Sequence, residues 1–271
     1  MIARPSAHPP IFNLPRVVLL TIAALVAIHA VRAVLDEATD FELLVELAVV
    51  PARWAVAVGA ASAEEVLRRL GATGQDGLVA FGRYVLDGDG VRPWTALTYA
   101  ALHGSWTHLI FNGVWLAAFG TPVARRCGAG RYLALAAATA VAGAAVHVIA
   151  HPADVFPMIG ASAAVSGMTA AAAWFMFAPA RWSLEGRLEA PHERRRESLA
   201  AMVRNRQVVI FVAVWFVTNT LFGTLAQPFG MVDSGIAWEA HVGGFLAGLA
   251  LFPLLDPLPR QGVPGGAHLR L

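Results

Sequence analysis

Ser162 and His241 are residue types that together perform nucleophilic catalysis, the imidazole taking the hydroxyl proton as the serine oxygen attacks a carbonyl. Each lies about five residues into an apolar run, Ser162 after Pro157 and His241 after Ile236, which along a helix is a depth of about 7–8 Å. A serine and a histidine at matched depth can share a hydrogen bond. His108 and Asn112 have helical i, i+4 spacing and share one face. Attack on a peptide carbonyl builds an oxyanion, which an imidazole N–H, an amide NH2 and the Ser162 backbone N–H are chemically suited to stabilise. Taken without Ser162 and His241, His108 and Asn112 read as ordinary hydrogen-bonding groups between helices.

Groups at such a depth need long apolar elements to hold them. The chain has 271 residues, 57% apolar and only 14% charged, against roughly 25% charged in ordinary soluble domains. A soluble globule is excluded on that ground. All 20 basic residues are arginine, and 18 acidic ones leave a net charge of +2. No basic stripe interleaved with aromatics is visible, so nucleic acid is not an expected partner. The single cysteine, Cys127, excludes an internal disulfide framework and any CxxC motif. The N-terminal run lacks a small-residue cleavage site and reads as an anchor, not a removable leader.

Continuous apolar runs long enough for a bilayer core of about 30 Å read as helices. Six are expected: Val17 to Leu35, interrupted by an Arg32 that can snorkel; His108 to Ala124; Tyr132 to Ala150; Pro157 to Phe177; Gln207 to Ala226; and Ile236 to Leu255. The arginines test that count, because short cytoplasmic loops carry excess basic residues. Arg4 and Arg16, then Arg125, Arg126 and Arg131, then seven arginines from Arg181 to Arg206, then Arg260 and Arg270, all fall on one side, taken as the cytoplasm. The opposite side carries a long segment, 36–92, with ten acidic residues and five arginines. Asp154 and Asp233 also fall there. Phe41 to Gly59 is apolar, but Glu42, Glu46, Pro51 and Arg53 make it interfacial and not a seventh span.

The remaining polar residues have plainer readings. Gly244 and Gly248 form a small-xxx-small face that by itself means only helix packing, but it starts three residues after His241. Gly160, Ala161, Ala163, Ala164 and Gly167 make the Ser162 helix equally small-sided. His147 and His151, with Asp154 after them, have ligand spacing, yet Pro152 ends the helix and they read as polar residues at the water boundary; no metal is expected. Asn219 reads as an interhelical hydrogen bond, Glu239 as a solvated boundary charge, and Arg194 to Arg196 as a topology determinant able to meet anionic lipid. A small-solute transporter would place polar groups at the midplane, whereas these cluster in the outer third.

The segments HGSWTHLIFN (103–112), GASAAVSG (160–167) and AHVGGFLAG (240–248), in that order, resemble the rhomboid intramembrane serine proteases over roughly residues 94–255. The resemblance implies an all-α membrane protein: a six-transmembrane-helix bundle (17–255) with a long first extracytoplasmic loop (about 36–92), between cytoplasmic tails at 1–16 and 256–271. It implies Ser162 as nucleophile, His241 as base without a triad aspartate, His108 and Asn112 at the oxyanion hole, and Gly160, Gly244 and Gly248 as packing support. His103 matches a recurrent structural position. The implied activity is cleavage of transmembrane segments of other proteins near the outer face, with the lipid bilayer as the other partner and no cofactor. The run from Gln207 and the loop Gln227 to Ser234 would form the lateral substrate entrance. The alternative is a non-catalytic relative that binds membrane helices. Three features depart from the family pattern: Ala163 replaces the usual glycine after the serine, Thr95 replaces the arginine usual after Trp94, and Ser166–Gly167 repeats the serine–glycine pair one turn deeper. Ser166 is rejected as nucleophile because it lies about 6 Å further from the entry end by helix rise.

Overall fold

The computed structural model describes residues 14–87, 90–182, 186–225 and 237–258. Among them no strand forms, and β pairing is limited to two isolated bridges, Val49–Met158 and Trp182–Leu188. Helix α1 (Arg16–Arg32) is followed by five short helices, α2 (Glu37–Leu47), α3 (Pro51–Ala57), α4 (Ala63–Gly71), α5 (Asp76–Leu86) and α6 (Thr95–Thr98). Then come α7 (Trp106–Trp115), α8 (Thr121–Ala150), α9 (Ser162–Met176), α10 (Leu199–Arg204), α11 (Arg206–Leu225) and α12 (Trp238–Leu255). Two helical runs among the described residues, Trp106–Ala150 and Trp238–Leu255, are long and apolar enough by themselves to cross a bilayer, with mean hydropathies of 2.0 and 1.3.

Helix α9 is the centre of the molecule. It is apolar all round and every residue from Ala163 to Phe175 is buried, as expected for a helix surrounded by protein. Its neighbours approach through missing side chains. A Cβ at Gly244 of α12 would lie 2.8 Å from the Ala163 carbonyl carbon, and one at Gly248 would lie 2.6 Å from Gly167 Cα. Since Gly244 meets Ala163 and Gly248 meets Gly167, α9 and α12 run parallel in fixed register over a full turn. A single larger side chain at either glycine would force the backbones apart.

Arg32 does not snorkel. Helix α1 stops at this residue, whose guanidinium is 8% exposed, pairs bidentately with Asp40 at 2.7 and 3.0 Å and donates to the His103 carbonyl at 2.9 Å. Burying a charge is tolerable only when it is paired and its hydrogens are used, and Asp40 supplies that better than a distant interface. The break expected between the second and third runs is present but very short. The helical path continues from α7 through a π-helical turn, Leu116–Gly120, into α8, and the break narrows to Gly128, at φ 77° and ψ 169°. Only glycine adopts that conformation without strain. The arginines that marked the loop flank this kink.

The segment 36–92 is more than a connection. Phe41 to Gly59 forms two helices, α2 and α3, broken at Ala48 to Val50, and Val45, Val50, Ala52, Val66 and Val85 build a small core with Val155. Asp36 and Ser62 cap α2 and α4 by accepting from Thr39 N–H and Glu65 N–H. Arg53 is buried, donating to Val85 O at 2.9 Å and Val45 O at 3.0 Å. The Val49–Met158 bridge and an Ala52 N–H bond to Asp154 O, 2.8 Å, fasten this unit to the chain that leads into α9.

At the other end of α9, Arg126 pairs with Asp256 through two bonds of 2.8 Å, donates to the carbonyls of His192 and Arg194, and lies over the Phe175 ring at 4.6 Å. Arg196 also pairs with Asp256, at 3.1 Å, and Arg194 donates to Met176 O and Ala178 O beyond the last turn of α9. Arg194 and Arg196, read from sequence as topology determinants able to meet anionic lipid, turn their guanidinium groups toward protein, Arg194 to the end of α9 and Arg196 to Asp256. Arg4, Arg260, Arg270, Asp233 and the loop Gln227 to Ser234 lie outside the described residues.

Candidate active site

Ser162 is the first residue of α9, so its backbone N–H belongs to the helix's unpaired first turn, at the positive end of the helix dipole. Gly160 prepares that start. Its φ of 123° is outside the reach of ordinary L residues, and its N–H donates to Tyr99 O at 3.0 Å. Tyr99 is itself fixed, 1% exposed with its hydroxyl donating to Ala140 O at 2.8 Å. A Cβ at Gly160 would lie 2.9 Å from His108 Cε1 and Nε2 and 3.8 Å from Ser162 Oγ. The His108 ring and the Ser162 hydroxyl therefore border the same small space, kept open by the absent side chain.

His108 enters from the first turn of α7, where Ser105 caps the helix by accepting His108 N–H at 3.1 Å. One turn on, Asn112 is 5% exposed and donates through Nδ2 to His108 O at 3.1 Å, which uses one of its two amide hydrogens. His103 is 1% exposed and meets the His108 ring edge-on at 5.1 Å between centroids, so it buttresses that ring.

His241 lies one turn before Gly244, and the parallel α9–α12 seam carries it to the level at which α9 begins. Ser162 and His241 are both half-buried, while Ser166 is 3% exposed and inside the packed part of α9. In this state no hydrogen bond joins Ser162 to His241. The imidazole Nδ1 instead meets Asn219 Oδ1 on α11 at 2.6 Å, while Asn219 Nδ2 donates to Trp215 O at 2.8 Å. That second bond decides the first. Trp215 O needs a donor, so the amide nitrogen faces it, the amide oxygen faces His241, and Nδ1 must carry the proton. Nε2 is left as the lone-pair nitrogen, the tautomer a general base requires. Trp215 and Phe245 stack at 4.4 Å and hold α11 to α12 beside this contact. Sequence reasoning had seen Asn219 only as glue between helices. Its pairing with His241 has no local signal, because 22 residues of chain separate them.

Residues 91–256 match the family description "Rhomboid domain". The chain belongs to the rhomboid family. As a rhomboid it is a membrane-embedded, multi-pass helical protein, which agrees with the exclusion of a soluble globule. The rhomboid protease GluP of Bacillus subtilis strain 168 is 27% identical over 199 residues, covering 72% of this chain and 32% of that protein. The chain thus spans about a third of the length of the relative it matches.

Two of the departures from the rhomboid pattern now have local explanations. The Ala163 methyl is received by α8, where a Cβ at Gly143 would lie 2.5 Å from it; space lost on α9 is returned by a glycine on the facing helix. Thr95 does not leave the first loop untied. Its hydroxyl accepts from Trp54 Nε1 at 2.9 Å and donates to Arg92 O at 2.7 Å, while Trp94 Nε1 donates to Glu46 O and Arg92 pairs with Glu46 at 2.6 Å. Arg32, Arg53 and Arg92 between them anchor the loop.

Glu239 corrects the sequence reading. It is not a solvated charge: its side chain is 16% exposed and meets His151 Nε2 at 2.8 Å and His147 Nδ1 at 3.7 Å.

Proposed function

We propose that this rhomboid is an intramembrane serine endopeptidase that cleaves transmembrane segments of membrane proteins. The six apolar runs cross the bilayer with both termini in the cytoplasm, and the Ser162 end opens to the extracytoplasmic side, as the sided arginines favour. His241 Nε2 accepts the Ser162 hydroxyl proton as Oγ attacks the scissile carbonyl carbon. The resulting oxyanion is met by the Ser162 N–H, the His108 ring and the free Asn112 amide hydrogen. The protonated His241 then delivers its proton to the leaving amine, and water, activated by the same imidazole, hydrolyses the acyl-enzyme. The missing Ser162–His241 hydrogen bond fits a resting enzyme, since catalytic contacts are often loose before substrate arrives.

The observation that carries this reading is the Gly160 space, bordered at once by His108 Nε2 and Ser162 Oγ at the unpaired start of α9. The exposed apolar face of α11, with Val209, Ile210, Val214, Phe216 and Val217, supports lateral entry of a helical substrate beside it. In liposomes containing a transmembrane substrate, Ser162→Ala and His241→Ala should each abolish cleavage, and Ser166→Ala should leave it within about twofold. Cleavage that survives Ser162→Ala ends the proposal; a wild type that binds substrate without cutting it marks a non-catalytic relative.

A further inference from the structure

His147, His151 and Glu239 form a second polar cluster, apart from the Ser162 space. His147 and His151 share one face of the last turns of α8, their rings 5.0 Å apart between centroids, and Glu239 reaches them from the first turn of α12. One donor atom from each residue lies within 4.8 Å of the other two. Two of the separations are 2.8 Å, His151 Nε2 to Glu239 Oε1, and 3.7 Å, His147 Nδ1 to Glu239 Oε2. Donors around a tetrahedral zinc ion, with bonds of about 2.0–2.2 Å, stand about 3.3 Å apart. The cluster is within a small side-chain adjustment of that size.

The single ion pair does not account for the whole arrangement. The His147 side chain is 8% exposed, and its Nδ1 is buried with no hydrogen-bond partner although it points toward the carboxylate. A buried ring nitrogen without a partner is costly, and one lone pair aimed at a second imidazole and a carboxylate is what a cation would satisfy. His151 is 43% exposed, which gives an ion a path in and leaves a coordination position for water.

We propose that His147, His151 and Glu239 bind one divalent transition-metal ion, zinc by donor type and size, as a clip between the end of α8 and the start of α12. The carboxylate supplies an oxygen, His147 its Nδ1, and His151 the Nε2 that now meets Glu239, the His151 ring proton passing to Nδ1. The bound ion fixes the first turn of α12 two residues before His241. It is placed to hold α12 and not to touch the scissile carbonyl, because Glu239 and His241 project from different faces of the helix.

The test uses the full chain in detergent after chelation, with Zn2+ alone as probe, and reads binding stoichiometry by equilibrium dialysis and the thermal midpoint with and without the ion. One Zn2+ per chain and a raised midpoint are expected. His151→Gln and Glu239→Gln should each weaken binding at least tenfold and abolish the midpoint rise, while keeping a metal-free midpoint and gel-filtration profile like the wild type. His241→Ala should bind as the wild type does. Absence of stoichiometric binding, binding that survives both Gln variants, or binding lost in His241→Ala but kept in His151→Gln would overturn the proposal. None of these readouts depends on proteolysis.

Discussion

The two ends of the α8–α9–α12 bundle are built from the same kinds of residue and solved in opposite ways. At the Asp256 end, one ion pair is drawn fully inside. The Arg126 and Asp256 side chains are 0% exposed, Arg196 joins them, and backbone carbonyls and aromatic rings use what remains of the Arg126 guanidinium. At the Ser162 end, Ser162 and His241 are half-buried and make no mutual bond, and the buried His147 Nδ1 has no partner. Between the two ends runs a seam of glycine and alanine that transmits register but carries no polar group from α12. The fully bonded Arg126–Asp256 pair gives rigidity. Polar capacity left unused, at a helix start with open N–H groups, is capacity available to a substrate or an ion.

Substitutions can break the contrast, beginning with the largest effect. Asp256→Ala leaves Arg126 buried and unpaired and should lower stability by about 3–5 kcal/mol, read as a fall in thermal midpoint in detergent. Its cleavage should fall only with the folded fraction. Gly160→Ala should act mainly on the site: a methyl pressed on His108 at a positive φ should reduce cleavage on the order of a hundredfold, with a stability loss of about 1–3 kcal/mol from the strained backbone. Smaller still, Asn219→Ala frees the His241 tautomer and should lower kcat about tenfold with KM unchanged and the thermal midpoint nearly so, because one half-buried hydrogen bond contributes only about 1 kcal/mol. If Asn219→Ala raised KM and left kcat alone, Asn219 would be a wall of the substrate path and not a positioning residue.

The legibility of the molecule followed the range of its interactions. Ser162 and His108 border one space, and the shared face of His108 and Asn112 was legible from i, i+4 spacing; the depth assigned to Ser162 was not, because residues 157–161 are not helical and α9 begins at Ser162 itself. The packing role of Gly244 and Gly248 was readable because small-xxx-small spacing works within one helix. The Arg126–Asp256 pair was not, since 130 residues separate its members and each alone resembles a loop charge. The same holds for Glu239, which becomes a partner of His147 and His151 only once α12 lies along α8. Arg32 was misread because the rule that an arginine near a helix end snorkels says nothing of an aspartate eight residues later on a returning helix. Gly128 was hidden by its arginine neighbours, which suggested a loop where one glycine sufficed.

In the proposed mechanism the Ser162 end holds an activated nucleophile and not merely a polar gap. Labelling of the detergent-purified chain with a fluorophosphonate serine probe tests this without a substrate. One label per chain is expected, located by peptide mapping on Ser162, lost in Ser162→Ala and His241→Ala and retained in Ser166→Ala. A wild-type chain that stays unlabelled, or a label that persists in Ser162→Ala, would contradict that mechanism.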